Sequence, residues 1–181
     1  MKKVILLSGS PNAEGNTVQV LKACAEVIEK NGVEAEVVSL SGMKLHDAMD
    51  FTSGDDGFDA VIQKVKNADG LIVAGPVYWG TVRAQMMIAL QRLAMASAQQ
   101  GNFLSRKVGG PIAIARRGGS TTSIQEMMMF YLSNDMIVPG STYWNIVFGQ
   151  TPGQALQDEE GMQTVRRFAE NVAFLINKIG E

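Results

Sequence analysis

Cysteine and histidine are almost absent from this chain of 181 residues, which contains one of each, Cys24 and His46. A single cysteine excludes an intrachain disulfide, and it excludes an iron–sulfur cluster or a cysteine-based zinc site built from this chain alone. The helical surroundings of Cys24 favour a buried structural thiol over a nucleophile. His46 lies in a polar segment, where a surface or loop-packing role is favoured over catalysis. We therefore predict no metal site.

Long apolar runs and clusters of basic residues are also missing. No apolar stretch approaches the roughly 20 residues of a membrane span, and the run after Lys2 and Lys3 is too short for a signal peptide. We therefore predict a cytoplasmic protein with no membrane contact. The 16 basic and 18 acidic residues are dispersed along the chain. The basic residues form no run that could neutralise a line of phosphates, so nucleic acid is not an expected partner.

Hydrophobic residues make up 46% of the chain, which is enough for a core of ordinary size without disulfides or a structural metal. The length suits one domain, and no linker rich in Pro, Gly or Ser divides the sequence. We predict a single domain that spans residues 1–181.

Segments typical of strands alternate with segments typical of helices. The pattern predicts strands at residues 3–7, 34–40, 70–74, 110–115 and 136–139, and helices at 16–31, 58–67, 81–98, 123–133 and 158–179. Thr81 is a candidate helix cap, and Ser123 with Glu126 has the spacing of a capping box. Since parallel strands need crossover connections, this alternation predicts an α/β fold. We expect a doubly wound, five-stranded parallel sheet of order 2-1-3-4-5 with helices on both faces.

In such a sheet, ligands bind beyond the carboxyl ends of the strands, where the strand order reverses. The loops after the first, third and fourth predicted strands should therefore carry the function. The first of them, residues 8–17, offers small residues, hydroxyl and amide donors and a helix N-terminus, all of which suit a phosphate. It fits neither the Walker pattern nor the dinucleotide pattern, because Asn16 follows Gly15 and Pro11 interrupts the glycines. An ordinary polar loop remains the alternative.

The other two loops add aromatic and cationic side chains. Residues 75–81 contain the adjacent pair Tyr78 and Trp79, which a planar ligand would give a stacking partner, although core packing is an equal alternative. Residues 116–121 begin with two arginines and two glycines, which suit a close backbone approach to an anionic ligand. A solvated arginine pair is the alternative. The convergence of three such loops favours a binding site.

At these residues a family resemblance becomes plain. The chain resembles the NADPH-dependent FMN reductases of the flavodoxin-like superfamily, and within them the iron–sulfur flavoprotein branch. The matching pieces are Gly-Ser-Pro-x-x-x-Gly-Asn-Thr at 9–17, Gly-Pro-Val-Tyr-Trp-Gly at 75–80 leading into Gln85, and Arg-Gly-Gly at 117–119. The resemblance extends from residue 1 to about residue 150.

The resemblance implies an FMN site. Its phosphate would lie on Ser10, Asn12, Asn16 and Thr17, its isoalloxazine ring against Pro76, Val77, Tyr78, Trp79 and Gly80, and its ring or ribityl chain near Arg116, Arg117, Gly118 and Gly119. Two departures stand out. Asn12 replaces the usual basic residue of the phosphate loop, and residues 46–51 contain no cysteine where the iron–sulfur branch carries its cluster.

The implied activity is an oxidoreductase that passes electrons from NAD(P)H through FMN to a small acceptor such as a flavin, a quinone, a nitro compound or a metal ion. The flavin carries such chemistry, so no catalytic acid or base is named. An FMN electron carrier for protein partners is the alternative, which the net charge of −2 disfavours mildly. A third possibility is a non-enzymatic module that keeps the fold but binds FMN weakly or not at all.

Two further segments carry predictions. The acidic stretch at residues 47–59 lacks the spacing of a calcium loop, so a solvated loop is expected. Residues 127–130 read Met-Met-Met-Phe, which is more apolar surface than one buried helix stripe requires. We expect this helix or the preceding one to contribute to a homodimer or tetramer.

Overall fold

A computed structural model describes residues 2–50 and 52–179 of the chain. Within these residues the strands are β1 Lys3–Ser8, β2 Glu34–Ser39, β3 Gly70–Tyr78, β4 Thr81–Val82, β5 Val108–Ala115 and β6 Ile146–Phe148. The helices are α1 Asn16–Lys30, α2 Phe58–Lys66, α3 Ala84–Gln99, α4 Ser120–Ser133 and α5 Glu159–Ile179, with a short 3-10 helix at Gln154–Gln157.

Five of the strands form one parallel sheet in the order β2-β1-β3-β5-β6, and β4 pairs antiparallel with the end of β3. Counted without β4, this is the predicted order 2-1-3-4-5, so the predicted α/β fold is confirmed. In the centre of the sheet Val4 lies beside Gly70, and Gly70 lies beside Val108. The strand order reverses between β1 and β3, which places a crevice at their carboxyl ends.

The fifth strand of the sheet was predicted in the wrong segment. Residues 136–139 form only an isolated bridge, in which Ile137 pairs with Val108 at the beginning of β5. The chain then reaches Pro139, which has no amide hydrogen to continue a ladder. The edge position beside the second half of β5 is taken by β6, with Ala113 opposite Ile146. Two segments thus share one edge of β5, and only the later one is a strand.

Two predicted helix starts were also wrong. Thr81 belongs to β4, and α3 begins three residues later at Ala84. Helix α4 begins at Ser120, so Ser123 and Glu126 lie inside it rather than at a capping box. The Ser123 hydroxyl donates to the Gly119 carbonyl, and Glu126 accepts hydrogen bonds from β4.

Alternation along the strands divides the apolar side chains between the two faces of the sheet. Ile5 and Leu7 belong to a buried cluster with residues of α2, α3 and α4. Val4 and Leu6 belong to a second cluster with residues of α1 and α5. Both faces are therefore covered by helices, as the continuous apolar strands predict. Among the described residues, no helix has both the length and the apolar character required to cross a membrane.

Cys24 lies in the second of these clusters and is fully buried. Burial raises the pKa of its thiol to about 12. Its Sγ donates a weak hydrogen bond to the Val165 carbonyl, 3.7 Å away. The thiol is therefore protonated at neutral pH and acts as a packing residue, as the sequence indicates.

Candidate functional site

A cavity of about 550 Å³ opens at the carboxyl edge of the sheet, and we call it the switch-point cavity. Its walls come from the carboxyl ends of β3 and β5, from the loops after β1, β3, β5 and β6, and from the start of α1. The predicted residues that line it are Ser10, Asn12, Asn16, Thr17, Pro76, Val77, Tyr78, Trp79 and Arg116. The structure therefore brings together nine of the thirteen residues that were predicted as one site.

The side of this cavity formed by residues 10–17 presents free hydrogen-bond donors. Thr17 is 2% exposed, and its hydroxyl has no partner among residues 2–50 and 52–179. The hydroxyl of Ser10 accepts from the Asn12 amide and keeps its own hydrogen for donation. Helix α1 begins after Gly15, which has no side chain to cap the first amides of the helix. Hydroxyls and helix amides therefore point to an anion-binding function for this wall.

The two asparagines of the loop have other uses. The Asn16 side chain donates to the Thr151 carbonyl at 2.9 Å and accepts from the Ala155 amide at 3.3 Å. The carbonyl of the Asn12 side chain accepts from the Glu14 amide. Asn16 thus joins α1 to the loop after β6, and Asn12 shapes its own loop. Both line the cavity, but their side chains already have backbone partners.

Tyr78 and Trp79 lie on a hairpin that rises from the sheet. Strand β3 continues to Tyr78, and Trp79 and Gly80 form the turn into β4 with φ angles of 54° and 89°. Two successive positive φ values are typical of a type I′ hairpin turn. Tyr78 is 46% exposed and Trp79 is fully exposed. The structure therefore excludes the core-packing alternative for both aromatic residues.

The hairpin is held in place by α4 and its N-terminal loop. The Glu126 carboxylate accepts hydrogen bonds from the Thr81 hydroxyl at 2.5 Å and from the Val82 amide at 3.4 Å. Gly119 approaches Gly80 so closely that a Cβ atom on Gly119 would lie 2.6 Å from the Gly80 Cα atom. These contacts with α4 and its N-terminal loop therefore hold the hairpin turn in place, while the Trp79 side chain remains in solvent.

The third predicted loop divides between two cavities. Arg116 faces the switch-point cavity, whereas Arg117, Gly118 and Gly119 line a neighbouring cavity of about 400 Å³. Gly80 lines neither cavity and supports the hairpin turn instead. Three predicted residues thus face a separate space on the other side of their loop.

Sequence reasoning missed several residues of the site. The loop after β6 contributes Gly149, Gln150 and Pro152, and its absence from the prediction follows from the misplaced fifth strand. The short apolar run at residues 146–148 before a glycine was the available signal. Arg83 was also not predicted; it is not among the lining residues, but its guanidinium donates to the Gly9 carbonyl at 3.0 Å and so places a positive charge next to the loop after β1.

The acidic loop after β2 is held by internal hydrogen bonds. Burial of Asp56 would raise the pKa of its carboxyl, but donation from Arg92 and from the His46 and Phe58 amides outweighs it and lowers the pKa to about 2. Arg92 also lies over the Phe58 ring, 4.8 Å from its centre. In the described part of the chain, no group of three or more His, Cys, Asp or Glu side chains has a geometry that could hold a metal ion.

The parallel sheet with this strand order and a switch-point cavity defines a flavodoxin-like α/β protein. The family model for NADPH-dependent FMN reductases matches residues 2–151. The chain belongs to that family.

Two curated relatives extend the match along nearly the whole chain. An iron-sulfur flavoprotein of Methanocaldococcus jannaschii is 33% identical over 192 residues, with 98% of each chain covered. An iron-sulfur flavoprotein of Methanosarcina thermophila is 32% identical over 189 residues, with 98% of this chain and 96% of the relative covered. The chain is therefore similar in length and order to these flavoproteins.

Solved structures confirm the fold. A WrbA-like flavodoxin from Agrobacterium tumefaciens superposes with a TM-score of 0.67 at 17% identity, with 98% of each chain covered. The NAD(P)H:(acceptor) oxidoreductase FerB from Paracoccus denitrificans superposes with a TM-score of 0.72 at 13% identity, again with 98% of each chain covered. At these identities the likeness concerns the architecture.

The cysteine content separates this chain from an iron–sulfur protein. Clusters of this kind are held by several thiolates, whereas this sequence contains only Cys24. That thiol is buried between α1 and α5 and is protonated at neutral pH. The residues of this chain therefore do not fit an iron–sulfur cluster.

Proposed function

We propose that this protein is an FMN-dependent oxidoreductase that takes electrons from NAD(P)H and passes them to a small acceptor. The observation that carries the proposal is the switch-point cavity, in which an anion-binding wall faces an exposed aromatic hairpin. Family membership supports the same reading. FMN consists of a planar ring system joined to a phosphate. The aromatic hairpin suits the ring, and the anion-binding wall suits the phosphate.

The residues of the cavity fit FMN on chemical grounds. The Ser10 and Thr17 hydroxyls and the first amides of α1 would bind the phosphate without a basic residue in the loop. Arg83 adds a positive charge next to this loop, because its guanidinium bonds the Gly9 carbonyl. A phosphate bound by neutral donors and a helix N-terminus is a common arrangement, so Asn12 in the loop does not prevent binding.

The opposite wall would receive the isoalloxazine ring. Pro76 and Val77 continue β3 into the cavity, and the hairpin adds Tyr78 and Trp79 at its rim. Arg116 is the cationic residue among those that line the cavity. The predicted residues Arg117, Gly118 and Gly119 would support the ring site through the loop backbone and the Gly80 contact.

Bound FMN supplies hydride acceptance and electron transfer to the acceptor. The chain itself would bind the flavin, orient it and shield it from water. Tyr78 and Arg116 are the ionisable residues in the wall of the cavity, and neither is paired with a second acid or base there. This arrangement suits chemistry in which the protein supplies orientation and electrostatics rather than proton transfer.

The visible spectrum and its response to NADPH test this proposal. Purified protein, or apoprotein mixed with FMN, is expected to show the flavin absorption bands, and NADPH added without oxygen is expected to bleach them. Bound flavin that NADPH and NADH leave oxidised would support the electron-carrier alternative. Apoprotein that cannot be reconstituted with FMN would overturn the proposal.

The exposed hairpin gives a sharper test. Trp79→Ala is expected to lower NADPH oxidation per bound flavin more than it lowers FMN affinity, where the lost stacking costs roughly 1 kcal/mol. Tyr78→Ala provides the neighbouring comparison. Phe174→Ala removes another exposed aromatic ring, on α5 and far along the chain, and should leave both quantities unchanged. Full turnover per flavin in both hairpin variants would contradict the placement of the ring.

We also propose that the protein forms a homodimer or tetramer. An apolar groove lies between α3 and α4, and Met129 and Leu132 in its wall are 57% and 60% exposed. Such a continuous apolar surface is a solubility liability in a monomer. Light scattering at micromolar concentration is expected to give at least twice the chain mass of 19.5 kDa. A 19.5 kDa species would contradict this proposal.

A further inference from the structure

The second cavity, which we call the α4 cavity, lies beside the switch-point cavity and has a volume of about 400 Å³. Consecutive residues of two loops separate the two spaces. Arg116 faces the switch-point cavity and Arg117 the α4 cavity, while Gly149 faces the first and Phe148 the second. A molecule that reaches across either loop would therefore occupy both spaces.

The floor of the α4 cavity contains an unsatisfied hydroxyl. Ser120 is 5% exposed and lines the cavity, and within the described ranges 2–50 and 52–179 its Oγ atom is buried without a hydrogen-bond partner. A buried polar group without a partner is costly. A ligand atom in the cavity would satisfy it.

The same position is the N-terminus of a helix. Ser120 is the first residue of α4, which has 14 residues and no side-chain cap, because Gly119 precedes it. The first amides of such a helix have no partner within the helix, and together with the helix dipole they attract an anion. Arg117 lines the cavity at this end and adds a full positive charge.

Aromatic residues form another wall of the cavity. Tyr143 and Trp144 lie with ring centres 4.9 Å apart and planes inclined at 40°, and they are 59% and 56% exposed. Rings that contact each other and still expose half of their surface offer a stacking face to a planar ligand.

Two carboxylates, Asp158 and Glu160, also line the cavity. Asp158 accepts hydrogen bonds from the Phe148 amide at 2.7 Å and from the Gly161 amide at 3.1 Å, so its charge is used to begin α5. Glu160 is exposed in the first turn of α5. These negative charges disfavour an anion at the α5 side of the cavity, so a phosphate is expected at the α4 end. The Glu160 carboxylate remains available to accept hydrogen bonds from hydroxyl groups of a ligand.

We propose that the α4 cavity binds the phosphorylated adenosine portion of the nicotinamide dinucleotide. A phosphate lies on Ser120, the first amides of α4 and Arg117, and the adenine ring lies against Tyr143 and Trp144. This inference rests on the proposed function, because the nicotinamide ring must then reach the flavin in the adjacent cavity.

Titration of FMN-loaded protein with 2′,5′-ADP, followed by calorimetry, tests the inference without any redox reaction. Wild-type protein is expected to bind this nucleotide. Ser120→Ala is expected to weaken binding about tenfold, the effect of one hydrogen bond to a charged group. Trp144→Ala is expected to weaken it about fivefold through lost stacking. Neither change should alter the FMN dissociation constant.

Matched variants control for indirect effects. Ser133→Ala makes the same substitution at the other end of α4, and Phe174→Ala removes an exposed ring on α5; both should bind 2′,5′-ADP as the wild type does. Because the Ser120 hydroxyl has no partner in the described structure, Ser120→Ala should leave Tm unchanged or raise it. A structural role for this hydroxyl predicts a lower Tm instead.

Three results would overturn the inference. They are no binding of 2′,5′-ADP at millimolar concentration, binding that both variants leave unchanged, and binding of inorganic phosphate as tight as that of the nucleotide with no effect of Trp144→Ala. The last result would mean an anion site alone. Since NADPH bleaching of the flavin is measured separately, it can succeed while this titration fails, so failure of this inference is distinguishable from failure of the proposed function.

Discussion

The loops that follow β1 and β2 leave the same edge of the sheet, and both are rich in polar residues. We call residues 9–15 the β1 loop and residues 40–57 the β2 loop. In the β2 loop, two carboxylates accept hydrogen bonds from neighbouring backbone amides. Asp50 accepts from the Thr52 and Ser53 amides. Asp56 accepts from the His46 and Phe58 amides. These carboxylates of the β2 loop are therefore already occupied by nearby donors.

The β1 loop has a different allocation of hydrogen bonds. Its carbonyl and amide groups form local turns, but the Thr17 hydroxyl and the amides at the start of α1 beside it remain available to a ligand. Polar composition is therefore a poor guide to a binding site. Donors that the fold leaves without partners at a cavity are the better guide.

The largest effect that would separate the two loops is expected for Asp56→Asn. The carboxylate is 5% exposed and faces Arg92, which is 18% exposed, so the substitution leaves a largely buried cation without its counter-charge. We expect a loss of about 3 kcal/mol in the free energy of unfolding. FMN affinity should not change. Denaturant unfolding and FMN titration measure the two quantities.

The control for this variant is Asp47→Asn in the same loop, where the exposed carboxylate accepts a hydrogen bond from the Met49 amide. It should change stability by less than about 0.5 kcal/mol. If Asp56→Asn weakened FMN binding as strongly as it lowered stability, the β2 loop would contribute to the site and the contrast between the loops would fail.

The contribution of the Asp56 carboxylate should also appear in the pH dependence of the free energy of unfolding. The pKa of Asp56 is lowered to about 2 in the folded protein, against about 3.9 in an unfolded chain. Its contribution is therefore complete above about pH 5 and is lost as the pH falls toward 2, by about 2–3 kcal/mol. Unfolding measured from pH 6 to pH 2 should show this loss in the wild type. A curve for Asp56→Asn that fell as steeply would contradict the assignment.

A smaller effect of the opposite kind, on FMN affinity rather than on stability, is expected at Thr17 in the first turn of α1, directly after the β1 loop. Thr17→Ala removes a hydroxyl that has no partner in the described structure and lines the switch-point cavity. FMN affinity should fall by about 1–2 kcal/mol, the scale of one hydrogen bond to a charged group. Thr17→Ser keeps the hydroxyl and should retain most of the affinity. An unchanged FMN dissociation constant in fluorescence titration of Thr17→Ala would contradict the phosphate site.

The smallest effect is expected when a hydroxyl is removed from the β2 loop. Ser53 is exposed and donates to the Asp50 carboxylate. Ser53→Ala should change neither FMN affinity nor the free energy of unfolding by more than about 0.5 kcal/mol. Weaker FMN binding in this variant, measured by the same titration, would show that hydroxyls of both loops act on the ligand.

The sequence by itself determined the α/β class and the positions of four of the five parallel strands. Continuous apolar runs such as residues 70–74 and the helical spacing of α1 are local patterns, and local patterns decide which face of an element is buried. Its glycine and hydroxyl spacing also made the β1 loop a candidate phosphate site. Each of these features depends on residues within one turn or strand of one another.

The tertiary structure alone decided how side chains of distant segments share their hydrogen bonds. Asn16 carries the motif of a phosphate loop, but its side chain bonds Thr151, 135 positions away. The Tyr143 and Trp144 pair has no local pattern that marks a site, and it becomes a cavity wall only because residues of α4, β6 and α5 line the same cavity. Likewise, residues 146–148 rather than 136–139 form the edge strand because they reach the carboxyl half of β5. Such pairings depend on which elements the fold brings together, and spacing along the chain does not encode them.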